Sequence, residues 1–127
     1  MRQFLAVAAL GLSLAGCLPT VNIANSVSLN TLEGVVGGYG ILVNQENLLK
    51  AQPLCKTGTA PSISNICVKR STIVRLQGAD RIANSAINQA TLFVKNNPSV
   101  DPTQYISAAS AALTSLQSIV NAARAGS

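Results

Sequence analysis

Apolar residues recur at the spacing of an α-helix in three segments of this sequence, and this pattern limits the fold more than any other feature. In each segment they stand three and four positions apart, which places them on one side of a helix. The segments cover 29–50, about 66–95, and a third that opens at Asp101. Pro53 and Pro98 follow the first two, because proline cannot continue a helix. The sequence therefore predicts an all-α fold, a three-helix, up-down-up antiparallel bundle.

Capping signals set the expected helix starts. Asp101, Pro102 and Gln104 have the order typical of the N-cap, first and third positions of a helix. The inner face of this third helix is then predicted to begin with Tyr105. In the first segment, Asn30 is the predicted N-cap.

The composition requires a core of aliphatic side chains. The chain has no Trp, two Phe and two Tyr, while hydrophobic residues make up 48% of it. Leucine, isoleucine, valine and alanine suit closely packed helices. Because alanine buries little area, a domain of this size is expected to need a covalent cross-link such as a disulfide.

The first 17 residues have three parts of distinct character. Arg2 gives a short positive start, and an apolar stretch of twelve residues runs from Phe4 to Ala15. That stretch is shorter than the roughly 20 residues that span a bilayer, and it has the length of the apolar part of a signal peptide. It ends in Leu14-Ala15-Gly16-Cys17. This motif resembles the lipobox of bacterial lipoproteins.

The resemblance implies that residues 1–16 are a signal peptide, cut before Cys17, and that lipid is attached to the Cys17 thiol. Residues 17–28 are then a lipidated tether, and 29–127 form the bundle domain. The protein would be held on a membrane of the cell envelope. Leu18, in place of aspartate after the lipidated cysteine, resembles the pattern that permits export to the outer membrane. In a host with two membranes we therefore expect the protein on the periplasmic face of the outer membrane.

Two other interpretations of the leader compete with this one. An ordinary signal peptidase acting after Ser13-Leu14-Ala15 would release a soluble secreted protein. The leader could instead be a buried helix, but Arg2 and the break at Leu18-Pro19 argue against that. We favour the lipoprotein, because lipid on Cys17 leaves an even number of other cysteines.

Cys55 and Cys67 are that remaining pair, at the end of the first predicted helix and the start of the second. Disulfides persist in an oxidising compartment, and a bridge over so short a loop contributes roughly 3 kcal/mol on the chain-entropy model. A redox pair or metal site is the alternative, but the spacing is unlike CxxC and the chain has no His. We predict a structural disulfide joining the two helices, and no metal.

Four glycines, Gly34, Gly37, Gly38 and Gly40, fall inside the first predicted helix. Each costs about 1 kcal/mol relative to alanine in a helix interior. Gly34 and Gly38 are one turn apart, so they form a flat face that a helix from a partner or a second copy can approach. We favour instead a bend or break near Gly37-Gly38, or packing of the third helix there.

Basic residues line the polar side of the second predicted helix. Arg70, Arg81 and Lys95 fall on that side and form a candidate contact with lipid headgroups or other envelope polyanions, although such stripes are usually solvated. The whole chain has nine Lys and Arg against four Asp and Glu, a mild excess. With no aromatic residues interleaved among the basic ones, we predict no nucleic-acid partner.

The sequence offers no catalytic centre. It has no His and no pair of carboxylates on one helical face, and both remaining cysteines serve better as a bridge. We therefore predict neither an enzyme nor a cofactor. The predicted function is a membrane-tethered, non-enzymatic structural or interaction module of the bacterial envelope, whose partners are the membrane, through Cys17, and an envelope protein.

The order helix, Pro-Leu-Cys, loop, Cys, helix also resembles uncharacterised small helical proteins of proteobacteria and their prophages. That resemblance implies no activity. The alternative function is a periplasmic inhibitor or immunity-type protein. In that case the disulfide-closed loop 56–65 would enter the active site of a target.

Overall fold

The computed structural model describes residues 20–23, 27–62 and 64–125. The predicted signal peptide and Cys17 lie outside the described residues. Within them the chain forms no β-strand. The three helices are α1 (Leu32–Lys50), α2 (Arg70–Asn96) and α3 (Thr103–Arg124), and α2 runs antiparallel to both α1 and α3. The predicted all-α, three-helix bundle is confirmed.

The core is aliphatic, as the composition requires. The contact between α2 and α3 is the most extensive, and α1 packs against both. Ala83, Ala90 and Ala109 are fully buried, and their small side chains allow the two helices to approach closely. The buried apolar side chains of the helices are Val35, Leu42, Leu49, Leu76, Ala83, Ile87, Ala90, Ile106, Ala109, Leu113, Leu116 and Val120.

The first helix begins later than predicted. Its N-cap is Thr31 rather than Asn30, and the Thr31 hydroxyl accepts a hydrogen bond from the Gly34 amide at 3.2 Å. The reason lies in the preceding residues. The Leu29 carbonyl accepts a hydrogen bond from the Ser110 hydroxyl at 3.0 Å. This contact holds the backbone before Thr31 against α3, outside the helix.

The second helix also begins later, at Arg70 rather than near residue 66. The residues just before it are paired with the beginning of the connection between the first and second helices. The Cys55 amide donates to the Val68 carbonyl at 2.9 Å, and the Val68 amide donates to the Pro53 carbonyl at 2.9 Å. Backbone groups committed to these bonds are unavailable to a helix.

The third helix begins at Thr103, with Pro102 at the N-cap position, so the predicted N-cap at Asp101 was one residue early. Asp101 still serves the helix start, because its carboxylate accepts a hydrogen bond from the Thr103 amide at 3.0 Å. Hydrogen bonds from the Thr103 hydroxyl and amide hold the pKa of Asp101 below its usual value.

Tyr105 does not belong to the inner face of α3, contrary to prediction. Its ring is exposed and stacks on Phe93 of α2, with ring centroids 4.1 Å apart. Ile106 occupies the buried position instead. The aromatic pair covers the end of the α2–α3 contact, next to the turn that joins the two helices.

Before the first helix, the described residues pack against the bundle. We call residues 20–23 and 27–30 the N-terminal arm. The Val21 amide donates to Asn121 Oδ1 at 2.8 Å, and Asn121 Nδ2 donates to the Val21 carbonyl at 2.9 Å. The Ile23 amide donates to Gln117 Oε1 at 3.0 Å, and the Ile23 side chain is only 1% exposed. The packed part of the chain thus begins well before residue 29, inside the segment predicted as a tether.

The arm accounts for two of the four glycines of the first helix, Gly34 and Gly38. The helix is continuous from Leu32 to Lys50, so the break expected near Gly37-Gly38 is absent. A Cβ at Gly38 would lie 3.2 Å from Leu29 Cδ2 and 3.5 Å from Ile23 Cδ1. A Cβ at Gly34 would lie 1.3 Å from the Ser28 carbonyl oxygen. The Gly34/Gly38 face is therefore the surface on which the arm lies.

Candidate functional site

The disulfide lies where the sequence predicted it. Cys55 and Cys67 are joined with an S–S distance of 1.96 Å and a Cα–Cα distance of 4.9 Å. The bridge connects the segment after α1 to the segment before α2, and Leu54 and Val68 pair beside it. It fixes one end of the bundle, which we call the disulfide end. The end of α1, the start of α2 and, because α3 is antiparallel to α2, the end of α3 all lie there.

The described residues of the loop closed by the bridge are mostly exposed and have hydrogen bonds among themselves. The Thr59 amide and hydroxyl both donate to the Lys56 carbonyl, at 2.9 and 2.6 Å. Gly58 between them has a φ of +81°, a conformation that favours glycine. Ser62 and Asn65 exchange backbone hydrogen bonds at 3.0 and 3.1 Å. The loop is thus held in a defined shape outside the core.

The three predicted basic contacts do not form one site. Arg70, Arg81 and Lys95 are all exposed, as expected for a polar helix side. Arg70 and Lys95 are nevertheless separated by about 37 Å along α2, at 1.5 Å per residue. Arg70 lies at the disulfide end and Lys95 at the opposite end, so they cannot bind one small patch together.

The structure instead gathers a different set of basic residues at the disulfide end. Three are terminal residues of the helices, one is the N-cap of α2 and one lies in the loop closed by the disulfide. Sequence reasoning missed the set because its members are far apart in the chain. The set could be found only by first deducing from the order of the helices that these three helix ends lie at the same end of the bundle. This basic end comprises Lys50, Lys56, Lys69, Arg70 and Arg124.

Negative charge is scarce at the same end. Glu46 is the one acidic residue near it, and its carboxylate is 1% exposed with Oε1 2.5 Å from Lys50 Nζ. Among the described residues no other ion pair is formed, so Lys56, Lys69 and Arg70 have no acidic partner. The remaining carboxylates lie elsewhere, at Glu33, Asp80 and Asp101. The positive charge of the protein is therefore concentrated at one end.

Exposed apolar side chains accompany the basic residues. Leu54 and Ile66 flank the two cysteines and are 51% and 57% exposed, and Leu48 in the last turn of α1 is 58% exposed. Singly exposed apolar residues are common on protein surfaces. Here three of them share an end with five cations.

A polar network joins α1 to α2 away from this end. The Tyr39 hydroxyl donates to Asp80 Oδ1 at 2.7 Å, and Asn84 Nδ2 donates to the Tyr39 oxygen at 3.2 Å. Asn88 continues the network, donating to Asn84 at 2.8 Å. Burial, followed by the hydrogen bond to Asp80, raises the pKa of Tyr39. The phenol is thereby kept protonated as a donor, which suits a contact between helices.

A shallow groove of about 270 Å³ lies between α2 and α3. Its walls are mostly alanine and isoleucine, with Arg75 and Ser115 as the polar residues. Ligand sites usually combine an apolar pocket with several convergent polar groups, and this groove lacks them. It offers no arrangement for catalysis.

Residues 20–23, 27–62 and 64–125 contain neither a cluster of metal-ligating side chains nor a membrane-spanning helix. No group of three or more His, Cys, Asp or Glu side chains comes together there to hold a metal ion. In the same ranges no helix has both the length and the apolar character needed to cross a bilayer. Known protein families, curated proteins and solved structures provide no match to this chain. The basic, partly apolar disulfide end is the candidate site that remains.

Proposed function

We propose that this protein is a lipid-anchored, non-enzymatic module of the bacterial envelope, attached to a membrane through Cys17. The observation that carries the proposal is Leu14-Ala15-Gly16-Cys17 at the end of an apolar stretch of signal-peptide length. The bridge between Cys55 and Cys67 supports it, because disulfides persist in oxidising compartments. It also leaves Cys17 as the cysteine available for another modification. In a host with two membranes, Leu18 favours the periplasmic face of the outer membrane.

Fatty-acid labelling tests the anchor. Cells that produce the full chain should incorporate an alkyne fatty acid into this protein and process the leader. Cys17→Ser should abolish the label and leave unprocessed or soluble protein. The double variant Cys55→Ser/Cys67→Ser is the matched control, because it removes two cysteines and should keep the label. Labelling and membrane association of Cys17→Ser equal to those of the wild type would refute the proposal.

The second candidate function is a periplasmic inhibitor or immunity-type protein. One observation favours it: the loop 56–65 is exposed, closed by a disulfide and shaped by the Lys56–Thr59 turn. Such pre-organised loops bind with little loss of conformational freedom. Replacing residues 57–60 by serine and glycine, with both cysteines kept, should then abolish capture of a target from envelope extracts. Unchanged capture would favour another surface.

A further inference from the structure

We infer that the disulfide end of the bundle faces the membrane, and that the basic end rests on anionic phospholipid headgroups. This inference rests on the proposed anchor at Cys17 and adds the orientation of the domain and the chemistry of its contact. A free tether over residues 17–28 would instead let the domain stand away from the bilayer.

The first argument is the place where the arm begins. Val21 is fixed to Asn121 by two hydrogen bonds, and Asn121 lies in the last turn of α3, at the disulfide end. Only two residues, Leu18 and Pro19, separate Cys17 from Thr20, the first described residue. Fully extended, the three residue steps from Cys17 to Thr20 reach about 11 Å. An anchor at Cys17 therefore keeps the disulfide end close to the lipid.

The second argument is charge. The basic end carries five cations, and Glu46, the one acidic side chain near it among the described residues, is buried against Lys50. Cations near the C-terminal ends of helices compensate the helix dipole, which gives Lys50 and Arg124 an ordinary explanation. Lys69 and Arg70 have no such explanation, because they lie at the start of α2, where acidic residues are favoured and none is present. Basic clusters next to an anchor are attracted to anionic lipid surfaces.

The third argument is the exposed apolar side chains. Leu48, Leu54 and Ile66 are each more than half exposed at the same end. Apolar residues among cations are the composition of surfaces that lie at the boundary of headgroups and acyl chains. Apolar side chains are also exposed elsewhere on the bundle, for example at Ile82 and Leu92, so anchor position and charge are what indicate the disulfide end. The apolar residues at that end fit the same partner.

Single tryptophans provide the test, because the chain has none of its own. Ile66→Trp places a probe at the disulfide end, and Leu92→Trp places a matched probe at an equally exposed site near the opposite end, since both side chains are more than half exposed. Each lipidated full-length variant is reconstituted into vesicles of brominated phosphatidylglycerol or brominated phosphatidylcholine. We expect loss and blue shift of emission for Ile66→Trp in phosphatidylglycerol, and no change for Leu92→Trp.

Charge reversal separates the contact from the anchor. Adding Lys56→Glu and Lys69→Glu to Ile66→Trp should restore the emission, while flotation with vesicles persists through the lipid. Adding Arg81→Glu and Lys95→Glu makes the same charge change elsewhere and should leave the quenching intact. Unquenched Ile66→Trp in protein that floats, equal quenching of both probes, or equal quenching in both lipids would each overturn the inference.

Failure of the anchor gives a different result. A chain that carries no lipid and does not float would refute the proposed function. The same Ile66→Trp protein is then titrated with brominated phosphatidylglycerol vesicles from solution. Quenching in that titration supports the lipid-binding end without the anchor, and its absence overturns the inference.

Discussion

At the scale of single residues, two glycines determine where the chain can run before the first helix. The Ser28 carbonyl oxygen occupies the place of a Gly34 side chain, and Leu29 and Ile23 lie against Gly38. The penalty of glycine in a helix interior is thus offset by apolar burial of the arm. A partner helix was one explanation of this face from sequence, but the arm lies there in the structure.

Gly34→Ala and Gly40→Ala should change stability in opposite directions. The added Cβ at Gly34 meets backbone at 1.3 Å, so we expect Gly34→Ala to displace the arm. Such overpacking lowers the free energy of unfolding by about 1–3 kcal/mol. A Cβ added at Gly40 would have no neighbour within 4 Å. Gly40→Ala should therefore raise the free energy of unfolding by about 0.5–1 kcal/mol through helix propensity. Urea denaturation measures both. Stabilisation by Gly34→Ala would contradict the packed arm.

Tyr39 should make stability depend on pH in the alkaline range. The folded state raises the pKa of this phenol above 10.0, so it holds the proton more tightly than the unfolded chain does. The stabilisation is complete below pH 10.0 and is lost as the pH rises from there through the folded pKa. Tyr39→Phe should cost about 1 kcal/mol at neutral pH through the lost hydrogen bond.

The difference between wild type and Tyr39→Phe should therefore shrink above pH 10.0. Denaturation curves of both proteins at neutral and alkaline pH check this. The comparison cancels the titration of lysines, which both proteins share. A difference that stayed constant with pH would show that the hydrogen bond to Asp80 does not stabilise the fold.

At the scale of elements, the bridge and the arm compensate for a core rich in alanine. Ala83, Ala90 and Ala109 bring α2 and α3 together but bury little area each. The disulfide restricts the unfolded chain, and the arm adds Ile23 to the core as a fully buried side chain. A small domain depends on such additions, because its own core supplies few kcal/mol.

Removal of the Cys55–Cys67 bridge should destabilise the domain, but the helices should remain folded. In Cys55→Ser/Cys67→Ser no bridge restricts the unfolded chain, so the unfolded state gains conformational entropy. We therefore expect the free energy of unfolding to fall by roughly 3 kcal/mol. Mass spectrometry of the non-reduced wild type should find the two cysteine peptides joined. Thermal unfolding followed by circular dichroism measures the loss. Equal stability of the two proteins would show that the bridge does not stabilise the fold.

At the scale of the whole molecule, the sequence predicted the features that neighbouring residues form. It missed the contacts between residues that are far apart in the chain. Helical spacing identified three helices, because that periodicity is a property of neighbouring residues. In α2, Leu76, Ala83, Ile87 and Ala90 are buried at this spacing. The arm has no such period. Its burial depends on Gln117 and Asn121, which are 94 and 100 positions from their partners. The basic end was missed for the same reason.

The packing of the arm also has a mechanical consequence. The arm runs lengthwise along α3, from Val21 at Asn121 to Leu29 at Ser110, so its axis is close to that of the bundle. If the chain is held at Cys17, tension between membrane and domain pulls along this axis. The hydrogen bonds of Val21 and Ile23 then bear the load together, in shear, instead of opening one after another. Force applied at Cys17 would thus pass through the side chain of Ile23 into the core.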